Sequence, residues 1–306
     1  MHPDMNILIE ARTPPPPGQT IEENRAAWTE YSQKLSQPVP DDMTTFDRKI
    51  PTEARDVPVR VYHPAAGQAP RPCILYMHGG GFMKGDLDSS DSIAWGFAEK
   101  TGASVVSIDY ALAPENPYPA AFNDCYGVLT WLKEQGGDID VDGGCLAVAG
   151  DSAGGNLAAA LCLAARDRDG PKIAAQALVY PGTGLDQDQG SYIEHAEGIG
   201  LTTAGTKQYR DWYLPHDTNT DDPYARPVMA ADISNLPPAH VHSAELDPIR
   251  DDGRVYASKL ALAGNLVTYR EAKGMIHGFM RARFKGAGAA AEFQAICDFL
   301  KGQLYA

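Results

Sequence analysis

The chain is short of several things, and each shortage removes a class of protein. No apolar run approaches the roughly 18 residues that a membrane-spanning helix needs, so no spanning segment is expected. The N-terminus has no basic region followed by an apolar stretch, so no secretory leader is expected either. Basic residues are the minority: 26 Lys and Arg stand against 40 Asp and Glu, a formal net charge of -14. No Lys/Arg cluster stands out. A nucleic-acid or anionic-membrane partner needs a basic face, so neither is expected. The acidity suits solubility, and it disfavours anionic substrates by long-range repulsion unless a local site overrides it. Cysteine is sparse: Cys73, Cys125, Cys145, Cys162 and Cys297 include no C-x-x-C pair. A zinc or thioredoxin-like site is therefore not suggested. The five lie in strand-like or helix-like stretches and read as small buried residues, which suits a reducing cytoplasm.

What is present points to one large core. The chain has 306 residues, 43% of them hydrophobic, long for one average domain and short for two large ones. Residues 1–45 read as an arm: a proline run at Pro14–Pro17, then a helix from Thr20 to Leu35 opened by the capping box Thr20-Ile21-Glu22-Glu23. From residue 46 strand and helix signals alternate. Strands are expected at Val59–Tyr62, Cys73–Met77, Ser104–Ile108, Cys145–Ala149, Ala174–Tyr180, Ala239–Ala244 and Val267–Tyr269. Helices are expected at Ser90–Lys100, Ala120–Glu134, Ala153–Arg166, Asp251–Ala263 and Ala287–Leu300. That rhythm predicts an α/β fold, a mostly parallel central sheet flanked by helices. It breaks over 182–236, a polar insertion with some helix near Ala204–Tyr213, so the core is expected to span 46–181 and 237–306.

Three motifs carry chemistry. Gly150-Asp151-Ser152-Ala153-Gly154 fits G-x-S-x-G. The pattern alone is common, but here it follows an apolar strand and opens a helix, the setting of a nucleophile elbow. The turn is so tight that residues flanking the serine must be small, and Gly150, Ala153, Gly154 and Gly155 are. Ser152 then sits at a helix N-terminus, where unpaired N–H groups favour developing negative charge. His78-Gly79-Gly80-Gly81-Phe82 follows another apolar strand. Three consecutive glycines are expensive to order, which makes sense where the backbone must aim N–H groups at an oxygen anion. The expected donors are Gly80, Gly81 and Ala153. His78 is expected to shape the loop by hydrogen bonding. No phosphate-loop pattern is present at these glycines.

Eight histidines compete for the role of base. His2 and His63 lie early in the chain, and His195 and His216 lie in the insertion. His240 and His242 sit inside an apolar strand and read as core. His277, in Gly274-Met275-Ile276-His277-Gly278-Phe279, lies on a loop between the last strand and the last helix and is the expected base. Its orienting acid should stand at the C-terminal end of an earlier strand. Asp247 fits, since Pro248 stops the strand there, and Glu245 is the nearest rival. Asp251 and Asp252 read as the acidic first turn of the next helix. The chain order Ser…Asp…His is the one expected of α/β-hydrolases.

These motifs together resemble the hormone-sensitive-lipase-like esterases, bacterial family IV. The oxyanion signature is matched by His78–Phe82, the Gly-Asp-Ser-Ala-Gly-Gly-Asn elbow by Gly150–Asn156, and Asp-Pro-Leu-Arg-Asp by Asp247–Asp251 with Ile in place of Leu. His277-Gly278-Phe279 and Asp109–Ala121 are also similar to family segments. The resemblance implies a serine carboxylesterase acting on short- to medium-chain esters through an acyl-enzyme, with no metal and no organic cofactor. It further implies a largely helical cap built from 1–45 and 182–236, a pocket touched by Phe82, Tyr209, Trp212 and Tyr213, and a homodimer as one option. Amidase, lactonase or peptidase chemistry on the same triad stays open. So does a non-catalytic small-molecule receptor on this fold, against which the presence of His277 weighs.

Overall fold

The computed structural model describes residues 1–12, 20–65, 67–215 and 221–306. The Pro14–Pro17 run and His216 lie outside the described residues. Eight strands form one sheet: β1 (Thr44–Pro51), β2 (Asp56–His63), β3 (Arg71–Met77), β4 (Ser104–Ile108), β5 (Val141–Asp151), β6 (Ile173–Val179), β7 (Ala239–Leu246) and β8 (Val267–Ile276). Their order is β1-β2-β4-β3-β5-β6-β7-β8. The β1–β2 and β2–β4 pairs are antiparallel, and every later pair is parallel.

The helices are α1 (Asn6–Ala11), α2 (Ile21–Leu35), α3 (Leu87–Thr101), α4 (Ala120–Gln135), α5 (Ala153–Asp167), α6 (Ser191–Glu194), α7 (Thr203–Tyr213), α8 (Arg250–Leu262) and α9 (Ala287–Leu304). They divide between the faces of the sheet because alternate strand residues point opposite ways. Leu75 and Met77 of β3 pack with Phe122 of α4, Leu157 of α5 and Tyr256 of α8. Ile74 and Tyr76 of the same strand pack with Phe97 of α3 and Phe293 of α9. Both faces of the central strands are therefore buried, which is why they read as continuous apolar runs rather than alternating ones. His240 and His242 of β7 are buried on one of those faces, as expected for core histidines.

Two expectations needed correction. The arm boundary at 45/46 cuts through β1, which pairs with β2 along its whole length. Only Ile50 of β1 is buried, so the strand offers no apolar alternation to read. β8 runs seven residues beyond Tyr269, through exposed Arg270 and Lys273, because the open edge of the sheet tolerates charged side chains. Helix α1 was also not foreseen. It and α2 place Met5, Leu8, Tyr31 and Leu35 in the same apolar cluster as α3 and Phe279. The expected capping box at the start of α2 is present, Thr20 and Glu23 each taking the other's N–H. No helix among the described residues is long and apolar enough to cross a membrane.

Candidate active site

Strand β5 ends at Asp151 and α5 begins at Ala153, so Ser152 alone makes the turn. Its φ of 57° and ψ of -117° lie where a side chain is strained, a cost of about 1–3 kcal/mol that surrounding structure must offset. It does so with backbone bonds: Ser152 N–H donates to Val179 O (2.9 Å), and Ser152 O accepts from Asn156 N–H (3.2 Å) and Gly182 N–H (3.3 Å). The glycines follow from the same crowding. A Cβ on Gly154 would overlap the carbonyl of Met77, and one on Gly150 would overlap that of Gly154.

His277 follows β8, and its Nε2 lies 2.9 Å from Ser152 Oγ. Its Nδ1 lies 2.7 Å from Asp247 Oδ2, at the end of β7. Asp247 is fully buried, and its other oxygen accepts the N–H of Ile249 at 3.0 Å. The Tyr180 ring packs against the imidazole, 4.7 Å between centres. Glu245 is not part of this chain of contacts: its carboxylate accepts from Gly274 N–H (2.6 Å) and Lys273 (3.1 Å), which holds it below the ordinary range.

The glycine loop is held over the elbow by a residue that sequence reading left without a role. Asp151 accepts from Gly79 N–H (2.9 Å) and from the hydroxyls of Tyr76 (2.7 Å) and Tyr180 (3.4 Å). Burial beside that carboxylate pushes both phenols well above their usual range. His78 donates from Nδ1 to Gly79 O (3.0 Å) and stacks on Tyr110, the loop-shaping part foreseen for it, and burial lowers its basicity. Gly80 has a φ of 142°, and a Cβ there would overlap Lys84 O. The N–H groups of Gly80, Gly81 and Ala153 donate to no other group among the described residues.

A family model described as alpha/beta hydrolase fold matches residues 74–281. The chain belongs to the α/β-hydrolases, in their hormone-sensitive-lipase-like branch. It is 40% identical to the esterase LipI of Mycobacterium tuberculosis over 80% of this chain and 77% of that one. It is 39% identical to the carboxylesterase NlhH of the same organism, over 79% of each chain. Among solved structures, a thermostable esterase from Pseudomonas putida superposes with a TM-score of 0.93 at 31% identity, covering 98% of this chain and 96% of that one.

A cleft of this α/β-hydrolase opens over Ser152, His277 and the glycine loop. Phe82, Tyr209 and Tyr213 line it. Phe82 stacks flat on Tyr213 at 3.6 Å, and the Tyr209 ring lies so close to Gly81 that a Cβ there would come within 2.6 Å of it. Trp212 does not reach the lining. Tyr209 and Tyr213 are one turn apart on α7, whereas Trp212 is rotated by about 100° from its neighbour and meets only the edge of the group, 6.2 Å from Tyr209. Two buried side chains, Asn156 of α5 and Asp252 of α8, tie the 182–236 stretch to these helices; the sequence reading gave Asn156 no role and Asp252 only a place in the first turn of its helix. Asn156 donates to Gly182 O (2.8 Å) and Ala225 O (3.2 Å). Asp252 accepts from Gly184 N–H (2.9 Å), Leu185 N–H (3.1 Å) and Tyr192 Oη–H (2.8 Å), while burial pushes its carboxyl up to about 6. No group of three metal-ligating side chains occurs among the described residues.

Proposed function

We propose that this hydrolase cleaves short- to medium-chain carboxylic esters with Ser152 as nucleophile, His277 as base and Asp247 as the acid that orients it. The observation that carries the reading is the unbroken chain Asp247–His277–Ser152, at 2.7 and 2.9 Å, beside three uncommitted N–H groups. His277 Nε2 takes the Ser152 proton as Oγ attacks the ester carbonyl carbon. Buried Asp247 holds the tautomer with Nδ1 protonated and stabilises the imidazolium. The carbonyl oxygen becomes an anion and is met by the N–H groups of Gly80, Gly81 and Ala153. His277 returns its proton to the leaving alkoxide, and the alcohol departs. Water, deprotonated by the same imidazole, then attacks the acyl-enzyme and releases the acid. Ester and water supply every atom, so neither metal nor organic cofactor enters.

The named esterases among the relatives support ester rather than amide chemistry. In this reading residues 1–43 and 182–236 form a cap that dries the cleft. The five cysteines, all free, fit a reducing cytoplasm. A homodimer would use the open β8 edge. The test is hydrolysis of p-nitrophenyl esters from acetate to laurate by the protein and by its Ser152→Ala variant. A peak at short or medium chains, reduced up to roughly 10⁶-fold in the variant, is expected. Equal weak activity in both proteins would overturn the reading and point to amides, lactones or a binding role.

A further inference from the structure

Nine of the 15 arginines of this acid-rich chain sit against carboxylates, among them Arg25 on Glu115, Arg55 on Asp124, Arg60 on Asp47 and Arg250 on Glu194. The cleft departs from that pattern. Arg12, Lys84, Arg210 and Arg281 all line it, and among the described residues none of the four has a carboxylate partner. Three of them converge from distant segments on one group of rings. Lys84 Nζ stands 5.0 Å from the centre of the Trp28 ring and 5.2 Å from that of Tyr209, whose hydroxyl it reaches at 2.9 Å. The Arg281 guanidinium lies 4.8 Å from the Trp28 centre. Arg12 lies 5.1 Å from the Tyr31 ring, which packs on Trp28.

Arg281 is only 5% exposed, yet its Nη1 meets neutral oxygens of Ser32 and Ser89, and its Nη2 has no hydrogen-bond partner among the described residues. A buried guanidinium without a counter-charge is costly unless an anion visits it. Aromatic faces steady a cation without cancelling its charge. Two carboxylates do line the cleft, but both are engaged, Asp151 by the glycine loop and Asp252 by Gly184, Leu185 and Tyr192. Tyr76 and Tyr180 feel the charges of both Asp151 and Arg281, in opposite senses. Lys84 and Arg12 face only rings and neutral oxygens. Tyr209 also touches Gly81, and Arg281 follows His277 by four residues, so the positive end of the cleft adjoins the reacting atoms.

We propose that Lys84, Arg281 and Arg12, set over Trp28, Tyr31 and Tyr209, bind a carboxylate carried by the substrate. The preferred esters are then singly anionic: half-esters of dicarboxylic acids, or esters in which the acid or alcohol part keeps a free carboxyl group. The local charge overrides the repulsion of the chain's net negative charge. Cations stacked on rings suit a carboxylate on an apolar body better than a doubly charged, strongly hydrated phosphate. The inference names the substrate class of the site proposed above and rests on that reading.

Two matched substrate pairs test it at low ionic strength. p-Nitrophenyl hemiglutarate against p-nitrophenyl pentanoate places the charge on the acyl part, and 4-acetoxybenzoate against its methyl ester places it on the alcohol. In one pair the charged ester should show the higher kcat/KM. Lys84→Met should lower the charged-to-neutral ratio roughly tenfold, the effect of one partly desolvated charge pair, and added salt should lower it too. Binding gives a readout free of turnover: Ser152→Ala protein should hold benzoate more tightly than benzamide, and a Ser152→Ala/Lys84→Met protein should not. A preference for the neutral ester in both pairs, unmoved by Lys84→Met, would overturn the proposal. So would equal binding of benzoate and benzamide. Lys84-dependent benzoate binding without turnover of any ester would instead overturn the esterase reading and leave the anionic subsite standing.

Discussion

The elbow and glycine loop differ from the other segments that line the cleft in how their geometry is specified. At Gly150–Gly155 and His78–Phe82 the backbone itself is the device: Ser152 is held at a φ of 57°, Gly80 at 142°, and neighbours leave no room for a Cβ at Gly154. In those other segments, position is set by single side chains reaching across the fold. Arg25 of α2 grips Glu115 (2.7 Å) and the carbonyls of Met83 and Ala113, and Asn156 and Asp252 hold the 182–236 stretch. The first kind of region is expected to fail as a unit when one residue changes. The second gives way piece by piece.

The largest expected effect is a test of that unity. His277→Ala should cost about as much turnover as Ser152→Ala, up to roughly 10⁶-fold, and the double variant should be little worse. Multiplying losses in the double variant would show that the two act separately. Next comes Asp247→Asn, which keeps the shape but allows the wrong imidazole tautomer. It should lower kcat about 10⁴-fold with KM little changed, and a loss under tenfold would remove Asp247 from its assigned part.

Asp151→Ala tests the joint between the two turns. It leaves Gly79 N–H and the Tyr76 hydroxyl without their acceptor, an expected loss of about 1–3 kcal/mol in chemical denaturation. As a positioning residue it should lower kcat more than it raises KM. An equal loss for Asp151→Asn, which keeps an acceptor, would assign the effect to charge instead.

On α7, Tyr209→Ala should change the acyl-chain profile on p-nitrophenyl esters, whereas Trp212→Ala, outside the lining, should leave kcat/KM within about threefold. The smallest effect is a pH dependence. The folded carboxyl of Asp252, pushed up to about 6, stands above its unfolded value near 3.9. Its protonated form is favoured by folding, so its contribution to stability is complete below about pH 4 and is lost as pH rises through 6. Denaturation midpoints compared with Asp252→Asn across that range should show the slope only in the parent protein.

Much of the site was legible because its parts are local. A strand, a tight turn and a helix around Ser152 leave a mark within six residues, and so does the glycine loop after β3. Asp247 was preferred to Glu245 for its place just past the strand, which Pro248 stops; in the structure Asp247 meets His277, and Glu245 is committed to Gly274 and Lys273. Strand β1 and helix α1 left no such mark, one for want of buried alternation and the other for want of length.

The sequence by itself determined the alternation of strand and helix, the elbow, the glycine loop and the order of the three triad candidates, because steric limits and apolar periodicity act between near neighbours. Only the tertiary structure decided that Asp151 binds the two turns together, that α7 turns Tyr209 and Tyr213 inward and Trp212 aside, and that Arg12, Lys84 and Arg281 share one group of rings. The contacts of Asp151 with Tyr180 and Tyr76 join residues 29 and 75 positions apart, that of Arg281 with Trp28 joins residues more than 250 apart, and no local rule of the chain records where such residues meet.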